Sequence, residues 1–291
     1  MIERRLQLSP WVERRRRIVN VLGHAAVTLA TAVVLVPLVA VVWYTLREGI
    51  PGLTWDFFTQ LPKPVGEVGG GMANAIVGSG IVVGLASIVA IPLGILAGIF
   101  ISEYASARFA AAIRFVTEVM LGLPSILLGI FAYAVVVKPM GHFSAYAGAA
   151  ALAIVMLPIV IKTTEEILRL VPRHIREAGL ALGIPQWVVV LRIILRAASR
   201  GIVTGILLAV ARAAGETAPL LFTALNNRFW HTTLDQPIAT LPVQIFTYAV
   251  APYEDWHRQA WAGALVLIGL VLVLSIVLRL VVSRTHLEHE Q

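Results

Sequence analysis

Arg212 and Glu216 are the residues whose type and spacing best fit a chemical role, because they are the only formal charges in the run from 201 to 227. An apolar run of this length is typical of a membrane-spanning helix. A charge at the centre of such a helix costs about 2.5–3.5 kcal/mol on insertion scales, so ionisable groups at that depth usually serve a function. With a spacing of four residues, the two side chains are expected on one face of the helix.

Two interpretations of this pair stay open. Either the two charges neutralise each other so that the helix can insert, or Arg212 contacts an anion that crosses the membrane. The order of the charges favours the second interpretation, since an acid N-terminal to a base stabilises a helix more than the reverse order found here. A guanidinium is also a planar fork suited to bidentate recognition of an oxyanion such as phosphate. The working hypothesis is an anion pathway with Arg212 as its intramembrane contact.

The composition indicates a polytopic membrane protein. Hydrophobic residues make up 58% and charged residues 13% of the 291 positions, whereas a soluble domain carries about 25% charged residues. The sequence pI is near 10.2, but the basic residues stand mainly beside apolar runs, so membrane topology explains them and no nucleic-acid partner is expected. The sequence has no cysteine, which excludes disulfides, thiolate catalysis and Cys-ligated metals. The first apolar run is too long for a cleavable signal peptide.

Six apolar runs predict an all-α membrane protein with six transmembrane helices. In the second run, Gly80 and Gly84, and likewise Gly94 and Gly98, have a spacing that lets helix backbones approach closely. Pro92 is expected to kink that helix. The predicted segments are a basic N-terminal arm 1–17, a first span 18–46, a loop 47–71, further spans at about 72–102, 109–137, 139–161, 201–227 and 259–281, a charged loop 162–200 and a short tail 284–291.

The distribution of basic residues predicts that both termini are cytoplasmic. If the N-terminus is inside, the loop 162–200 also lies in the cytoplasm, and the N-terminal arm can contact membrane lipid head groups. Of the 23 Lys and Arg residues, the opposite side then holds only Arg47, Lys63, Lys138, Arg228 and Arg258.

A short helix is predicted within the cytoplasmic loop, at about 173–182. Pro172 precedes it and Gly183 follows it, which is the expected asymmetry of helix ends, and Pro185 fits the start of the next helix. A helix this short is marginal alone and needs a partner surface. That surface is either the membrane domain itself or another chain.

This loop resembles the EAA loop of ABC-importer permeases, whose pattern is EAA-x3-G-x9-I-x-L-P. Gly179 stands where the pattern has its second Ala, and Arg196 where it has Pro. In that family the loop docks on an ATPase subunit, so the resemblance implies that residues 173–186 couple this chain to ATP-binding subunits. The coupling residues implied are Glu177, Ala178, Gly179, Leu182 and Gly183; the pattern continues to Ile193 and Leu195.

A wider resemblance is to the PstA-type phosphate permease family of ABC importers. It is carried by RAAGETAPLLFTA at 212–224, GGGMANAIVGS at 69–79, EYA at 103–105 and GLPSILLGIFAY at 122–133. The resemblance implies a type I ABC-importer permease domain over 72–283, in the bacterial cytoplasmic (inner) membrane, with the loop 47–71 in the periplasm. It further implies one half of a heterodimeric channel with a homologous PstC-type permease, two ATP-binding subunits and a periplasmic phosphate-binding protein. The family's phosphate-linked Arg and Glu fall on Arg212 and Glu216.

Three further residues are candidates for the substrate pathway. Thr217 can offer a hydroxyl to the anion, although back-bonding to its own helix is an equal alternative. Asn74 and Ser79, near the exterior end of the second span, are expected either to line the entrance or to cap a helix.

The sequence bears on two alternatives to phosphate transport, a permease for another oxyanion and an intramembrane enzyme. The chain lacks a G-x4-G-K-[ST] phosphate loop, so ATP hydrolysis is expected in a separate chain, without a cofactor in this one. A permease for sulfate or molybdate would share the coupling loop. An intramembrane enzyme would need a nucleophile and base, or metal ligands, in proximity, and His24, His142, His286 and His289 show no such arrangement in the sequence.

Overall fold

The computed structural model describes residues 10–67, 69–230 and 233–287. Over these residues the chain forms helices, turns and irregular segments and no β-strand, which confirms the all-α prediction. The helices are α1 (Pro10–Gly49), α2 (Trp55–Thr59), α3 (Ala73–Glu103), α4 (Ala107–Gly122), α5 (Ser125–Met140), α6 (Ala145–Leu170), α7 (Arg173–Ala181), α8 (Gln186–Ala214), α9 (Ala218–Leu221), α10 (Leu241–Ala249) and α11 (Glu254–Leu287).

The chain divides into two compact units, Met1–Glu48 and Gly49–Gln291. The first unit consists of α1, whose apolar side chains between Ile18 and Val42 are exposed all round the helix. Most of the predicted basic arm, residues 1–9, lies outside the described residues, while Arg14–Arg17 are helical. The predicted tail 284–291 is described only to Leu287, so His289 also lies outside the described residues.

Five described helices are long and apolar enough to cross a membrane, and a sixth span results if the bent pair α4–α5 is counted as one crossing. The five single helices are α1, α3, α6, α8 and α11. The pair α4–α5 meets at 105°, so the span predicted over 109–137 is not a single helix. Pro124 favours the bend at this point, because a proline disfavours helical geometry in the residue before it; Leu123 is extended, and α4 ends at Gly122.

Helix α6 is the centre of the second unit. Gly94 and Gly98 of α3 lie against Val160 and Thr164 of α6, so the two helices run in the same direction. On another side, Gly201 and Gly205 of α8 lie against Ile167 and Thr163, so α8 runs antiparallel to α6. Both contacts depend on glycines that let the backbones approach closely.

The fifth span also differs from the predicted continuous helix over 201–227. Helix α8 ends at Ala214, and a turn at Gly215–Thr217 leads into the four-residue α9. Pro219 explains the position of the break: inside a helix its ring would clash with the carbonyl of Gly215, and it has no N–H to donate to that carbonyl.

The break lies about halfway along α6. If the antiparallel contacts of α8 are extended by helical spacing, its last turn is level with Met156, and Ala213 shares a buried cluster with that residue. Beyond the break, Leu220 and Ala224 lie against Gly148 near the start of α6. The fifth span therefore crosses as one long helix followed by a short irregular segment.

Candidate functional site

Arg212 occupies the last turn of α8, and Glu216 follows Gly215, the C-cap residue of that helix. Arg212 Nε lies 3.5 Å from Glu216 Oε1, and the side chains are 48% and 13% exposed. The spacing predicted this contact, but the two residues meet across a helix end and not along one helix face. A cation at a helix C-terminus interacts favourably with the helix dipole, which lowers the cost of placing Arg212 at this depth.

The backbone at the break is hydrogen-bonded despite its irregular shape. The amides of Gly215 and Glu216 donate to the carbonyls of Arg212 and Ala213 at 3.1 and 3.2 Å, and the Thr223 hydroxyl donates to the Pro219 carbonyl at 2.7 Å. In contrast, the ion pair with Glu216 is the one contact of the Arg212 guanidinium among the described residues. Most of its donors are therefore available to a ligand.

Helix α5 packs beside this break. Gly129 lies against the backbone of Pro219, so closely that a Cβ at position 129 would come 2.5 Å from Pro219 Cα. Pro124, at the start of α5, provides no side-chain cap for the first amides of that helix. The bend in the third span and the break in the fifth span are thus in adjacent segments.

The other predicted pathway residues contact their own chain. Thr217 is partly buried and stands at the start of α9, where its carbonyl accepts from the Leu220 and Leu221 amides. Asn74 is 4% exposed and donates to the carbonyl of Asn227 at 2.7 Å, while Ser79 is 7% exposed and its hydroxyl accepts from the Leu241 amide at 2.7 Å. These contacts favour the capping alternative for Ser79 and a loop-holding role for Asn74.

The coupling residues implied by the sequence lie on or beside α7, and most of them are exposed. Glu177 and Ala178 face solvent, and Leu182 is 79% exposed. Gly183 has φ +73°, which terminates the helix in left-handed geometry as the sequence pattern predicts. Gly179 differs from the others because it is buried against Val189 of α8, where a Cβ would come 2.9 Å from Val189 Cγ2.

Two groups of charges at the ends of these helices were not identified from the sequence. Arg176 of α7 forms an ion pair with Glu103 at the end of α3, at 2.8 Å. Glu165 of α6 accepts from Arg114 Nε of α4 at 2.6 Å and lies 3.1 Å from Arg169. Arg169 lies four residues after Glu165 on the same helix, but Arg176 and Glu103, and Arg114 and Glu165, come from helices that are distant in sequence, so no local spacing could have indicated those two pairs.

The histidines do not form a catalytic or metal-binding arrangement within the described part of the chain. No group of three or more His, Cys, Asp or Glu side chains there could hold a metal ion. His142 instead contacts Asp235 Oδ1 at 3.0 Å and the Met140 carbonyl at 2.9 Å. The side-chain hydrogen bond to Asp235, followed by the hydrogen bond to Met140, raises the pKa of His142.

Comparison with solved structures supports the fold. A chain of the bacterial alginate ABC transporter, solved in complex with an alginate pentasaccharide-bound periplasmic protein, superposes with a TM-score of 0.65 at 13% sequence identity, covering 93% of this chain and 96% of that chain. At this low identity the match indicates the same helical architecture and nothing about the ligand.

Comparison with known sequences identifies the family. The family described as binding-protein-dependent transport system inner membrane component matches residues 90–287. The phosphate transport system permease protein PstA of Yersinia pestis is 45% identical over 285 residues, covering 98% of this chain and 95% of that protein. The protein of that name from Haemophilus influenzae is 48% identical over 236 residues, covering 81% and 83%. The chain therefore belongs to the PstA family of phosphate transport system permease proteins.

Proposed function

We propose that this chain is a channel-forming permease subunit of an ATP-driven importer and that it passes inorganic phosphate across the cytoplasmic membrane. The observation that carries the proposal is a half-exposed arginine, Arg212, at the end of a helix that stops midway through the transmembrane unit. The names of the relatives state phosphate transport for those proteins. A permease subunit is not an enzyme, and ATP hydrolysis belongs to a separate chain.

The broken helix supports an anion pathway at Arg212. Irregular backbone at membrane depth is tolerated only where it is buried in protein or lines a water-filled cavity. The segment after Ala214 is partly buried by α5 and α6, and the Arg212 side chain, just before this segment, is 48% exposed. A guanidinium with free donors in such a position can form two parallel hydrogen bonds to a phosphate.

Glu216 gives this site a means of choosing between oxyanions. Phosphate near neutral pH still carries a proton that it can donate, whereas sulfate only accepts hydrogen bonds. The Glu216 carboxylate, 3.5 Å from the guanidinium, can accept a hydrogen bond from that proton, and its charge repels sulfate. Thr217, one residue further along, is a candidate second contact, while Asn74 and Ser79 position the segments around the pathway.

Energy coupling is assigned to α7 and the turn after it. The exposed residues Glu177, Ala178 and Leu182 form a surface for an ATP-binding subunit, with the exposed apolar side chains Leu180 and Trp187 beside them. Gly179 and Gly183 shape this surface, because the first allows close packing on α8 and the second ends the helix. Apolar groups at 49–79% exposure are unusual on a solvated surface of this size and suit a docking site.

The complex proposed has four kinds of component. This chain and a second, homologous permease of PstC type form the channel, two ATP-binding subunits bind on the cytoplasmic side, and a periplasmic phosphate-binding protein delivers the anion. Both termini of this chain lie in the cytoplasm of a bacterium, and the complex spans its inner membrane. The basic-residue distribution supports this orientation.

Uptake of labelled phosphate by the reconstituted complex tests the proposal, with Arg212→Gln as the variant. Arg200→Gln on the same helix is the control, since its exposed side chain has no described role. Loss of a charge-assisted hydrogen bond of about 1.5–3 kcal/mol predicts a fall in uptake of about tenfold or more for Arg212→Gln, with assembly and ATP binding retained. Unchanged uptake in an assembled Arg212→Gln complex would exclude Arg212 from the pathway.

A further inference from the structure

The guanidinium of Arg176 joins three helices on the cytoplasmic side. Nε and Nη2 donate to the two carboxylate oxygens of Glu103, at 3.0 and 2.8 Å, in a bidentate pair. Nη2 also donates to the carbonyl of Leu168 at 2.7 Å, and Nη1 to that of Val171 at 2.5 Å. One side chain of α7 therefore binds both the end of α3 and the end of α6.

Glu103 is held equally firmly. Its carboxylate accepts from the Ser102 hydroxyl at 2.9 Å, and its backbone carbonyl accepts from the side-chain amide of Gln186, the first residue of α8, at 3.0 Å. The Arg176 and Glu103 side chains are only 20% and 6% exposed. A bidentate pair so well shielded from water is among the stronger charge-assisted contacts.

Neither Glu103 nor Arg176 has a favourable position within its own helix. Glu103 is the last residue of α3, where the helix dipole disfavours an acid, and Arg176 is in the first part of α7, where it disfavours a base. Each charge is therefore unfavourable in its own helix. The contact between the two helices compensates for both.

Apolar contacts also hold α7. Gly179, the one buried residue of α7, packs against Val189 of α8. Ile175 packs against an apolar cluster that contains Val189 and Val190 together with residues of α3 and α6. Apolar packing therefore joins α7 mainly to the start of α8, while Arg176 forms its directed hydrogen bonds to α3 and α6.

We propose that Arg176 and Glu103 form the rigid link through which movement of α7 reaches α3 and α6, so that breaking the pair uncouples ATP hydrolysis from transport. Both are positioning residues that contact neither ATP nor the anion. The inference rests on the proposed function, since it requires that an ATP-binding subunit docks on α7. Without the link, α7 would retain only its apolar packing, so its displacement would reach α3 and α6 less directly, through the apolar cluster and through α8.

The test measures phosphate uptake and ATP hydrolysis in the same reconstituted importer, for Glu103→Gln, Arg176→Gln and the double variant. Arg108→Gln is the control, because Arg108 is an exposed arginine of the neighbouring helix α4 and lies outside the docking segment 173–186. In the Glu103 and Arg176 variants, phosphate taken up per ATP hydrolysed is expected to fall about tenfold, while ATP hydrolysis itself continues. The double variant is expected to be no worse than either single variant, since both remove one contact.

Two results would overturn the link. One is an uptake-to-ATP ratio that stays unchanged in assembled Glu103→Gln and Arg176→Gln complexes; the other is an additive loss in the double variant. If Arg176→Gln does not assemble, Arg176→Lys keeps the charge but cannot reach both the carboxylate and the two carbonyls, and normal coupling in that variant also refutes the proposal. Failure of the unmodified complex to take up phosphate would refute the proposed function instead, so the two failures are distinguishable.

Discussion

Gly94 of α3 lies against Val160 of α6 so closely that a methyl group on Gly94 would come 2.7 Å from Val160 Cβ. Gly84 lies nearly three turns earlier in the same helix, and a methyl group there would have no atom of the described residues within 4 Å. The two glycines therefore differ only in whether a neighbouring helix occupies the space beside them.

The same substitution is expected to have opposite effects at these two positions. Gly94→Ala should lower the free energy of unfolding by about 1–3 kcal/mol, because Val160 must move to admit the methyl group. Gly84→Ala should be neutral or stabilise the helix by up to about 1 kcal/mol, since alanine favours helix more than glycine does. Thermal unfolding of each purified variant in detergent measures both, and equal Tm shifts would contradict the contact described for α3 and α6.

Glu216→Gln is expected to reduce the selectivity of the importer for phosphate over sulfate. The variant keeps the size of the side chain but loses the negative charge that repels an acceptor-only anion. The measurement is inhibition of labelled phosphate uptake by added sulfate, in complexes with and without the substitution. If Glu216→Gln leaves the selectivity for phosphate over sulfate unchanged, other groups determine that selectivity.

Two substitutions on α7 and its turn are expected to separate binding from folding. Leu182 is 79% exposed, so Leu182→Ser should leave the stability of this chain within about 0.5 kcal/mol and weaken binding of the ATP-binding subunit by about 1 kcal/mol or more. Gly179→Ala should instead destabilise the chain, because its methyl group would contact Val189. The test measures the Tm of the chain and its affinity for the ATP-binding subunit in both variants. A reduced Tm in Leu182→Ser would show that this side chain stabilises the fold.

Glu165 is expected to contribute more to stability than Glu118, although both pair with basic residues on the same two helices. The Glu165 side chain is 5% exposed and bonds Arg114 at 2.6 Å, whereas Glu118 is 63% exposed and lies 3.6 Å from Lys162. Glu165→Gln should cost about 1–3 kcal/mol, because it leaves partly buried donors poorly paired. Glu118→Gln should cost less than about 1 kcal/mol, as surface pairs do. Chemical denaturation of the two variants compares them directly, and a larger loss at Glu118 would reverse the assignment.

The contact between His142 and Asp235 is expected to weaken as pH rises. A protonated ring donates from both nitrogens, to Asp235 and to the Met140 carbonyl, whereas a neutral ring has one N–H and must give up one bond. Since the pKa of His142 is raised in the folded chain, its stabilisation is complete below the unfolded value of about 6.5 and is lost as pH rises through the folded value.

Amide hydrogen exchange of the segments 140–148 and 233–240 between pH 5.5 and 8 checks this, after correction for the intrinsic rate. The protection of the two segments should fall with pH in the unmodified chain and become independent of pH in His142→Gln. A pH dependence that persists in His142→Gln would show that another group controls this contact.

Local features of the sequence predicted the helices well. The short helix α7 occupies the segment between Pro172 and Gly183 because those residues set helix ends without help from distant parts of the chain. The contact between Arg212 and Glu216 was likewise predictable from their spacing. Such features depend on interactions over a few residues, so one sequence is enough to reveal them.

The breaks in two spans were hard to predict from the sequence, because a proline does not always interrupt a helix: Pro92 lies inside α3 and Pro158 inside α6. Pro124 and Pro219 both stand in apolar runs that are long enough for an uninterrupted helix, and only the steric effect of proline on preceding residues indicates where each helix ends. The pairing of Arg176 with Glu103 was beyond reach for a different reason. The residues are separated by 73 positions, and no periodicity within a helix relates them.

The break after Ala214 also divides the ion pair between two separately held parts of the chain. Arg212 belongs to α8, which runs for 29 residues and is therefore about 43 Å long. Glu216 belongs to the segment fixed by Pro219 against Gly129 and by the hydrogen bond from the Ser144 amide to the Thr223 carbonyl. A tilt of α8 by about 5° around its midpoint would displace each end by about 2 Å, so a small rotation begun at Gln186, the first residue of the helix, is sufficient to pull the guanidinium away from the carboxylate.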